Sequence, residues 1–461
     1  MFQKDPARAP QAGPRRQQSR PSAPRQARRR RSRSRSPFVY LCLALVLILA
    51  LVLSLVSVPG IRRLFVGPGP QSLLLLQPYN LRAEPSQDGT RLAILPVGEL
   101  LDIEAEVTGE DTAYGQRWYK LRYRGLEAYL VADAGGQRLL ERSRLQRADK
   151  VQENADWEAQ LASFPTAYQD RLDELHHRHP NWQFQAVPVD KGFQQAVEEQ
   201  LENEARNLLP QSSFYSYMLA NKTVYDSPDW SPVGEAALTY FMDPRSYLCE
   251  SLIFAYEDAG FRLEGKEQEE ELRAFYKGVP ELEDLVPELL EAAEKSDLSP
   301  LFLGSRVRQE QYTGQGLADT ALGTREVDGR TGFYNLYNIG ATGGAEPRDE
   351  ALRFAQTGRG LSAEEQARYL LPWDTRQKAL VGGALWIRDH YTREQPTLYL
   401  QKFNVTGEPS HQYMQNVLAP TEEAEAQFLS CLQSGQFSRR RLFRIPVFQD
   451  LPAEHAFPSW D

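Results

Sequence analysis

The chain has 461 residues, a length that corresponds to about two to four domains. Hydrophobic residues make up 41% and charged residues 25%, which is ordinary for globular protein and excludes a chain that is disordered throughout. Three cysteines are too few for a disulfide scaffold, and no Cys/His spacing typical of zinc sites occurs. The net charge of −9 is uneven, because residues 1–37 hold twelve Lys or Arg and one Asp, which leaves −20 on the remaining residues.

The first 58 residues have the composition of a basic tail and a membrane anchor. Residues 1–37 are rich in Arg, Pro, Ser and Gln, which predicts disorder. Residues 38–58 carry no charge and are long enough to cross a hydrocarbon core of ~30 Å, and they are too long for the apolar region of a cleaved signal peptide. The positive-inside rule then predicts a single-pass cell-membrane protein with a cytoplasmic N-terminus and extracellular C-terminal domains. We expect the basic tail to contact anionic membrane lipids and expect no nucleic-acid partner.

Residues 73–141 contain short alternating segments separated by turn residues, which predicts a small all-β domain. The predicted strands are 92–95, 100–107, 118–123 and 127–131. The most characteristic segments are NLRAEP (80–85), LPVGE (95–99), WYKL (118–121) and GLEAYL (125–130). They resemble a bacterial SH3 domain, and the resemblance implies a small barrel with a role facing the cell wall. A spacer without a ligand is the alternative.

The rest of the chain has mainly helical periodicity. Residues 142–163 predict a linker helix, residues 164–447 an α-rich (α+β) domain, and residues 448–461 a C-terminal tail. Amphipathic segments within the large domain predict helices at 193–208, 233–240, 267–275, 282–293 and 376–391.

The clearest helix signal leads to a candidate general acid. Ser299 suits an N-cap and Pro300 the first helical position, so a helix is predicted over 301–312. On this helix Glu310 shares the apolar face of Val307, with an arginine on either flank. A carboxyl group on a buried face has a raised pKa, as a general acid requires. A glutamate at a frayed helix end, or one paired with an arginine, is the alternative.

A glycine-rich loop follows this helix and leads into FYNLYNIGATGG (333–344). Aromatic rings stack on sugar faces, and side-chain amides pair with hydroxyl and N-acetyl groups. This segment therefore predicts a saccharide-binding groove.

Ten segments in the large domain form an ordered set. They are FP (164–165), LDELH (172–176), HPNWQF (179–184), WSP (230–232), YFMDPRSYL (240–248), SRVRQE (305–310), YNLYNIGA (334–341), GGA (382–384), LYLQKFN (398–404) and HQYM (411–414). Together they resemble the N-acetylglucosaminidases of glycoside hydrolase family 73, especially the membrane-anchored cell-wall enzymes of Gram-positive bacteria. The resemblance implies a lysozyme-like fold and cleavage of the β-1,4 bond between N-acetylglucosamine and N-acetylmuramic acid in peptidoglycan, in cell-wall remodelling.

The resemblance also implies site residues. Glu310 matches the catalytic acid, Tyr337 is expected to support the charged intermediate, and the expected substrate-binding residues are Tyr334, Asn335, Asn338, Gln309 and Asp328. Relatives often carry a tyrosine directly after Ile-Gly-Ala, where Thr342 stands here, so its role would pass to Tyr334 or Tyr337 or be weakened.

The second catalytic group is left open. Glycosidases usually need two carboxyl groups, and Asp319, Glu326 and Asp328 are candidates, unless the N-acetyl group of the substrate takes this part. No cofactor or metal is expected, because the spacing of the histidines at 176, 177 and 179 does not match the usual ligand pairs.

The predicted fold class is thus a multidomain chain with a single transmembrane helix, a small all-β SH3-like barrel and an α-rich lysozyme-like catalytic domain. The expected partners are peptidoglycan glycan strands, membrane lipids and a membrane protein. Two alternatives for the function remain: a muramidase or lytic transglycosylase on the same fold, and a non-catalytic glycan-binding scaffold.

Overall fold

Alternating apolar residues form strands in the first part of the chain, and longer amphipathic segments form helices after residue 157. The computed structural model of the protein describes residues 71–96, 98–123, 126–141, 157–226, 228–341, 346–455 and 457–458. The basic tail, the apolar segment 38–58, most of the predicted linker and Thr342 lie outside these residues.

The secondary-structure elements have the following bounds. The strands are β1 (Gln71–Leu75), β2 (Tyr79–Arg82), β3 (Arg91–Leu95), β4 (Leu100–Thr112), β5 (Gly115–Tyr123), β6 (Leu126–Val131), β7 (Gln137–Glu141), β8 (Trp182–Pro188), β9 (Leu208–Pro210), β10 (Trp230–Pro232) and β11 (Arg441–Val447). The α-helices are α1 (Trp157–Ala162), α2 (Thr166–Arg178), α3 (Phe193–Leu201), α4 (Glu235–Met242), α5 (Glu267–Tyr276), α6 (Pro280–Glu283), α7 (Val286–Ser296), α8 (Pro300–Gln311), α9 (Asp319–Leu322), α10 (Pro347–Thr357), α11 (Ala363–Arg368), α12 (Arg376–Ile387), α13 (Leu398–Phe403) and α14 (Ala419–Ser434). Short 3₁₀ turns and a π-helical extension of α12 over Arg388–Thr392 connect some of them.

The first seven strands form one curled sheet in the order β3-β2-β6-β5-β4-β1-β7. All of its strand pairs are antiparallel, and β4, β5 and β6 follow one another as hairpin partners. Leu81, Tyr119, Leu121 and Leu130 are buried on the inner face of the sheet. Strands β3 and β7 are its two edges, so the sheet is an open half-barrel.

Strand β1 connects the sheet to the helical part of the chain. Leu73 and Leu75 face the core of the sheet, whereas Leu74 belongs to the core of the helical part. Successive side chains of a strand point to opposite faces, so a run of leucines can enter two cores at once. Both faces of β1 are therefore covered.

The first of two cores in the helical part lies around the parallel pair of β8 and β11. These strands pair from Trp182 with Arg441 to Pro188 with Val447. The ring of Phe443 lies 5.1 Å from Trp182 and 5.6 Å from Phe184 between centroids, and aromatic pairs at such distances add to the stability gained by burial. This pair joins segments more than 250 residues apart in sequence.

A second core surrounds helix α8, which packs on α5, α7 and α14. Its Leu303 and Val307 are fully buried, and α12 closes the same core from beside α7. Gly304 allows α5 to approach closely, because a Cβ at this position would lie 2.4 Å from the Cδ1 atom of Leu272. Helix α8 is thus held on several sides, and the position of its last turn is well determined.

The predicted fold class needs correction in two respects. In place of the predicted small SH3-like barrel there is an open curled sheet, because β3 and β7 do not pair with each other in the described residues. The predicted transmembrane helix at 38–58 lies outside the described residues, and none of the helices that the structure does describe is long and apolar enough to cross a membrane.

The predicted localisation is corrected by the same finding. It rested on a membrane-spanning helix that would separate a cytoplasmic N-terminus from extracellular domains. No such helix occurs among the described residues.

Candidate active site

Glu310 lies in the last turn of helix α8. Ser299 caps this helix, since its Oγ atom accepts a hydrogen bond of 3.4 Å from the backbone N–H of Phe302, and Pro300 occupies the first turn. The helix is buried along most of its length, but Glu310 itself is half-buried. A largely buried helix therefore presents one carboxyl group at the surface of the domain.

The loop after α9 brings an amide to this carboxyl group. Asn338 adopts a left-handed backbone conformation, with φ of 52°, and its Nδ2 donates a hydrogen bond of 2.8 Å to Oε2 of Glu310. Its Oδ1 accepts a hydrogen bond of 2.8 Å from Nε2 of Gln311, whose Oε1 in turn accepts one of 2.8 Å from the hydroxyl of Thr320. The hydroxyl of Thr320 donates to Gln311, and the amide of Gln311 donates to the oxygen of Asn338. The oxygen of Asn338 therefore faces Gln311, and its NH₂ group faces Glu310.

The surroundings of Glu310 raise its pKa. Burial favours the neutral carboxyl group and is the largest effect, while the charge of Arg306 and the hydrogen bond from Asn338 act in the opposite direction. The C-terminal end of a helix also disfavours a negative charge. Glu310 therefore keeps its proton at a higher pH than an exposed glutamate does, as a general acid requires.

Arg306 lies one helical turn before Glu310 and is fully buried. Its guanidinium stacks 4.1 Å from the centroid of the Tyr413 ring, and its Nη2 donates a hydrogen bond of 2.8 Å to Oε1 of Gln401. The hydroxyl of Tyr413 donates to the carbonyl oxygen of Tyr337 at 2.7 Å. Arg306 and Tyr413 thus join helix α8 to the loop that carries Asn338.

Two of the predicted site residues lie inside the core beneath the loop. Nδ2 of Asn335 donates to the carbonyl oxygens of Ile339 and Ala351, and its Oδ1 accepts from the N–H of Ile339. Tyr337 is buried, its hydroxyl donates to the carbonyl oxygen of Leu380 at 3.4 Å, and burial raises its pKa. In this structure the polar atoms of both side chains contact backbone groups.

The remaining predicted site residues, Gln309, Tyr334 and Asp328, differ in their surroundings. Gln309 is exposed beside Glu310 on helix α8 and hydrogen-bonds Glu422. Tyr334 is half-buried against the core around α8. Asp328 forms an ion pair of 3.0 Å with Arg353, which lowers the pKa of Asp328.

The candidates for a second catalytic carboxyl group have different surroundings in the structure. Of the candidates for a second catalytic group, Asp319 forms an ion pair of 3.2 Å with Arg325, and Glu326 is exposed. Glu423 is not among the residues predicted from the sequence; it is a buried residue of helix α14 whose carboxyl group lies 3.5 Å from Nη1 of Arg306. No local signal in the sequence marks it, because a charge in the middle of a helix normally faces solvent.

The histidines near residue 176 have partners of their own. His176 stacks on Trp157 at 4.0 Å, and His179 stacks on Trp182 at 3.8 Å while contacting Glu250 at 2.7 Å. Within the described part of the chain there is no group of three or more His, Cys, Asp or Glu side chains that could hold a metal ion.

Replacing Asn338 with glycine is expected to move the alkaline limb of the pH–activity profile to higher pH, by about half a unit or more. The amide stabilises the charged form of Glu310, so its removal raises the pKa of the acid, which then stays protonated to higher pH. Glycine accepts the left-handed backbone, so the loop is retained. The measurement is the rate of peptidoglycan solubilisation between pH 4 and pH 9. Asp297→Gly is the matched control. Asp297 also has a left-handed backbone conformation, but it lies just before the N-terminus of α8, at the opposite end of the helix from Glu310. An unmoved limb in Asn338→Gly would contradict the role given to this amide.

Comparisons with known proteins give partial matches. No protein-family model matches the chain. Over 155 residues the chain is 28% identical to the bifunctional autolysins of Staphylococcus aureus strains Mu50 and N315, a match that covers 32% of this chain and 11% of each autolysin. The chain thus spans about a tenth of the length of these curated relatives. This similarity agrees with the predicted class of enzyme, a glycoside hydrolase.

Solved structures of similar proteins were also found. One is S. aureus glucosaminidase B, with 19% identity, a TM-score of 0.40 and coverage of 58% of this chain and 94% of that chain. Another is a catalytic mutant of S. aureus autolysin E in complex with the disaccharide NAG-NAM, with 23% identity, a TM-score of 0.39 and coverage of 54% and 93%.

Proposed function

We propose that the chain is a peptidoglycan hydrolase, an endo-β-N-acetylglucosaminidase that cleaves the β-1,4 bond between N-acetylglucosamine and N-acetylmuramic acid. The observation that carries this proposal is Glu310, a half-buried carboxyl group with a raised pKa that is held by the amide of Asn338. The similarity to the bifunctional autolysins supports the class of substrate.

In the proposed reaction, Glu310 is the general acid. It donates its proton to the glycosidic oxygen as the bond to the anomeric carbon breaks, so the leaving sugar departs as a neutral alcohol. A water molecule then bonds to the anomeric carbon and gives up one proton, which restores the protonated form of Glu310. The carboxylate formed in this step accepts the hydrogen bond from Asn338 and lies close to the charge of Arg306. The hydrogen bond and the positive charge both favour the charged form of Glu310, so they stabilise the product of the proton transfer.

The groups around Glu310 suit a glycan strand. Gln309 is exposed next to the acid on helix α8, and Tyr334 is half-buried in the loop segment that leads to Asn338. We assign these two side chains to the substrate groove, where an amide pairs with hydroxyl or N-acetyl groups and a ring packs on a sugar face. Asn335 and Tyr337 support the groove from below through the backbone contacts described above.

The experiment that tests this function is a digest of purified peptidoglycan by the full-length chain. The products are reduced with borohydride, and their reduced ends are identified by mass spectrometry. Reduced N-acetylglucosamine ends are the expected result. Muramitol or anhydro-muramic ends would instead indicate a muramidase or a lytic transglycosylase. Binding of glycan without any cleavage would indicate a scaffold.

A further inference from the structure

A relay of three hydrogen bonds runs from the core of the helical part to the carboxyl group of Glu310. The hydroxyl of Thr320 donates to Oε1 of Gln311 at 2.8 Å, and Nε2 of Gln311 donates to Oδ1 of Asn338 at 2.8 Å. Nδ2 of Asn338 then donates to Oε2 of Glu310, again at 2.8 Å. Thr320 and Gln311 are fully buried, whereas Asn338 and Glu310 are half-buried. The relay thus begins in the core and ends at the proposed site.

Backbone hydrogen bonds hold the buried end of the relay in place. The N–H of Ala318 donates to the carbonyl oxygen of Gln311 at 2.8 Å. The N–H of Asn335 donates to the carbonyl oxygen of Thr320 at 3.0 Å. Thr320 is therefore fixed between the end of helix α8 and the loop segment that carries Asn338.

The relay has one favoured direction. A hydroxyl group has a single proton to donate, and its acceptor within the described residues is Oε1 of Gln311. A reversed relay would leave this proton buried without an acceptor, which is costly. At the other end, Nδ2 of Asn338 also lies 3.4 Å from the backbone carbonyl oxygen of Glu310, which can only accept. Both ends therefore direct the NH₂ group of Asn338 towards Glu310.

This direction distinguishes the two oxygen atoms of Glu310. Oε2 faces an N–H group, so a proton on Oε2 would meet another proton. Oε1 has no hydrogen-bond partner among the described residues and is left to interact with substrate. In the neutral form of Glu310 the proton therefore belongs on Oε1.

We propose that Thr320 and Gln311 are positioning residues that keep the transferable proton of Glu310 on Oε1, the oxygen atom that meets the glycosidic oxygen. The inference rests on the proposed function, because it names the atom from which the acid of that reaction gives its proton. Both residues act through Asn338 and need no contact with substrate.

Several charged or titratable groups lie around Glu310. Arg306 precedes it by one helical turn, and its positive charge acts on Glu310. Tyr413 stacks on Arg306, and Glu423 of helix α14 lies 3.5 Å from Nη1 of Arg306. The guanidinium of Arg308 lies over an aromatic ring of helix α5. The side chains of these groups form no hydrogen bond with the relay among the described residues.

The charged groups nearest the other parts of the relay have partners of their own. Asp319, next to Thr320 in the chain, forms an ion pair of 3.2 Å with Arg325. Glu422 of helix α14 accepts a hydrogen bond of 3.0 Å from Asn416. A substitution that removes only the hydroxyl of Thr320 leaves every one of these charges in place. A change in the pH profile can then be assigned to the relay.

Thr320→Val removes the hydroxyl and keeps the shape of the side chain. The relay can then reverse without stranding a hydroxyl proton, so neutral Glu310 can donate from Oε2 to Oδ1 of Asn338. This reversed form stabilises the neutral acid, which raises its pKa, and it withholds the proton from substrate. We expect kcat at the optimum to fall about fivefold and the alkaline limb to move up by the same factor, about 0.7 pH unit.

The two effects are linked, which gives the profile a distinctive shape. The reversed form competes only with the neutral, productive form of Glu310, and it does not change the balance between that productive form and the ionised one. The rates of Thr320→Val and of the unchanged chain should therefore converge at a pH above both limbs. A merely structural role of Thr320 would lower the melting temperature and reduce the rate by the same factor at every pH.

The experiment measures kcat on soluble peptidoglycan fragments between pH 4 and pH 9 for the full-length chain and its variants. Thr320→Ser retains the hydroxyl and is expected to restore both kcat and the position of the limb. Thr392→Val is the matched control, because Thr392 is also buried and its hydroxyl donates to the carbonyl oxygen of Arg388 at 3.4 Å. If Thr320→Val does not fold, Thr320→Ala removes the same hydroxyl with a smaller side chain and is expected to show the same convergence.

The outcomes separate this inference from the proposed function. Profiles that converge on the alkaline side for Thr320→Val, with recovery in Thr320→Ser and no change in Thr392→Val, support the relay. A folded Thr320→Val chain whose limb does not move overturns the inference, and the proposed function stays in place if that chain still releases N-acetylglucosamine ends. An unchanged chain that cleaves no peptidoglycan at any pH overturns both.

Discussion

The Glu310→Gln variant is expected to lose peptidoglycan cleavage by roughly three orders of magnitude and to remain folded. Glutamine has nearly the shape of glutamate, and its side-chain oxygen still accepts the hydrogen bond from Asn338. It carries no acidic proton, however, so the leaving sugar would have to depart as an alkoxide. The expected loss therefore appears in the catalytic rate rather than in binding of glycan.

The measurement is the rate of release of soluble, reducing fragments from purified peptidoglycan, together with a melting curve of each chain. Glu294→Gln is the control, since Glu294 is exposed on helix α7 and lies away from the proposed groove. A Glu310→Gln chain that retains activity within tenfold of the unchanged chain would remove Glu310 from the chemistry.

The second large effect is expected for Asn335→Ala, which should lower the free energy of unfolding by about 3 kcal/mol. The amide of Asn335 makes three buried hydrogen bonds to the backbone, at 2.9, 2.8 and 3.1 Å, and alanine removes all three. Because the segment from 335 to 340 carries Asn338, activity should fall as well, at temperatures where the variant is still folded. The midpoint of urea unfolding and the rate of cleavage are the two measurements.

Asn221→Ala is a suitable control for this change, because Asn221 is an exposed loop residue and its replacement is expected to cost about 0.5 kcal/mol or less. The sequence predicts instead that Asn335 binds substrate, and that role would give a different result in the same two measurements. An Asn335→Ala chain of unchanged stability with a raised KM for glycan would mean that the amide serves the substrate after all.

Helix α8 is the element that sequence alone predicts best. Its N-terminus is confirmed, with Ser299 as the cap and Pro300 in the first turn, and the predicted end at about residue 312 agrees with the observed end at Gln311. These signals are local: a cap, a proline and a periodic apolar face are all written in one stretch of chain. Four of the strands in the sheet, at 92–95, 100–107, 118–123 and 127–131, are likewise confirmed in place by β3 to β6.

Contacts between distant segments could not be predicted in this way. The strand β1 pairs with β4 and β7, and β8 pairs with β11, but which strands pair depends on the whole fold and not on either segment. The prediction of an SH3-like barrel for residues 73–141 was wrong for the same reason, because the alternation of a strand does not say whether the edges of its sheet meet.

The surroundings of Glu310 were predictable only in part. The helix periodicity places Glu310 on the face of Val307, and Val307 is indeed buried. The same periodicity gives Arg306 and Arg308 as flanking residues, yet Arg306 is fully buried on Tyr413 and Arg308 is not. Glu423 lies 117 positions after Arg306 in the chain, so only the packing of α14 against α8 reveals the contact between them.

The dependence of the cleavage rate on the leaving group is the sharpest test of Glu310 as the general acid. The unchanged chain and Glu310→Gln are compared on reduced peptidoglycan fragments and on a matched oligosaccharide that ends in a dinitrophenyl group, whose departure needs no proton. Glu310→Gln is expected to lose roughly a thousandfold in rate on the sugar leaving group and at most about tenfold on the dinitrophenyl group. Equal losses on the two substrates would contradict it, because a residue that only binds or orients the glycan would affect both alike.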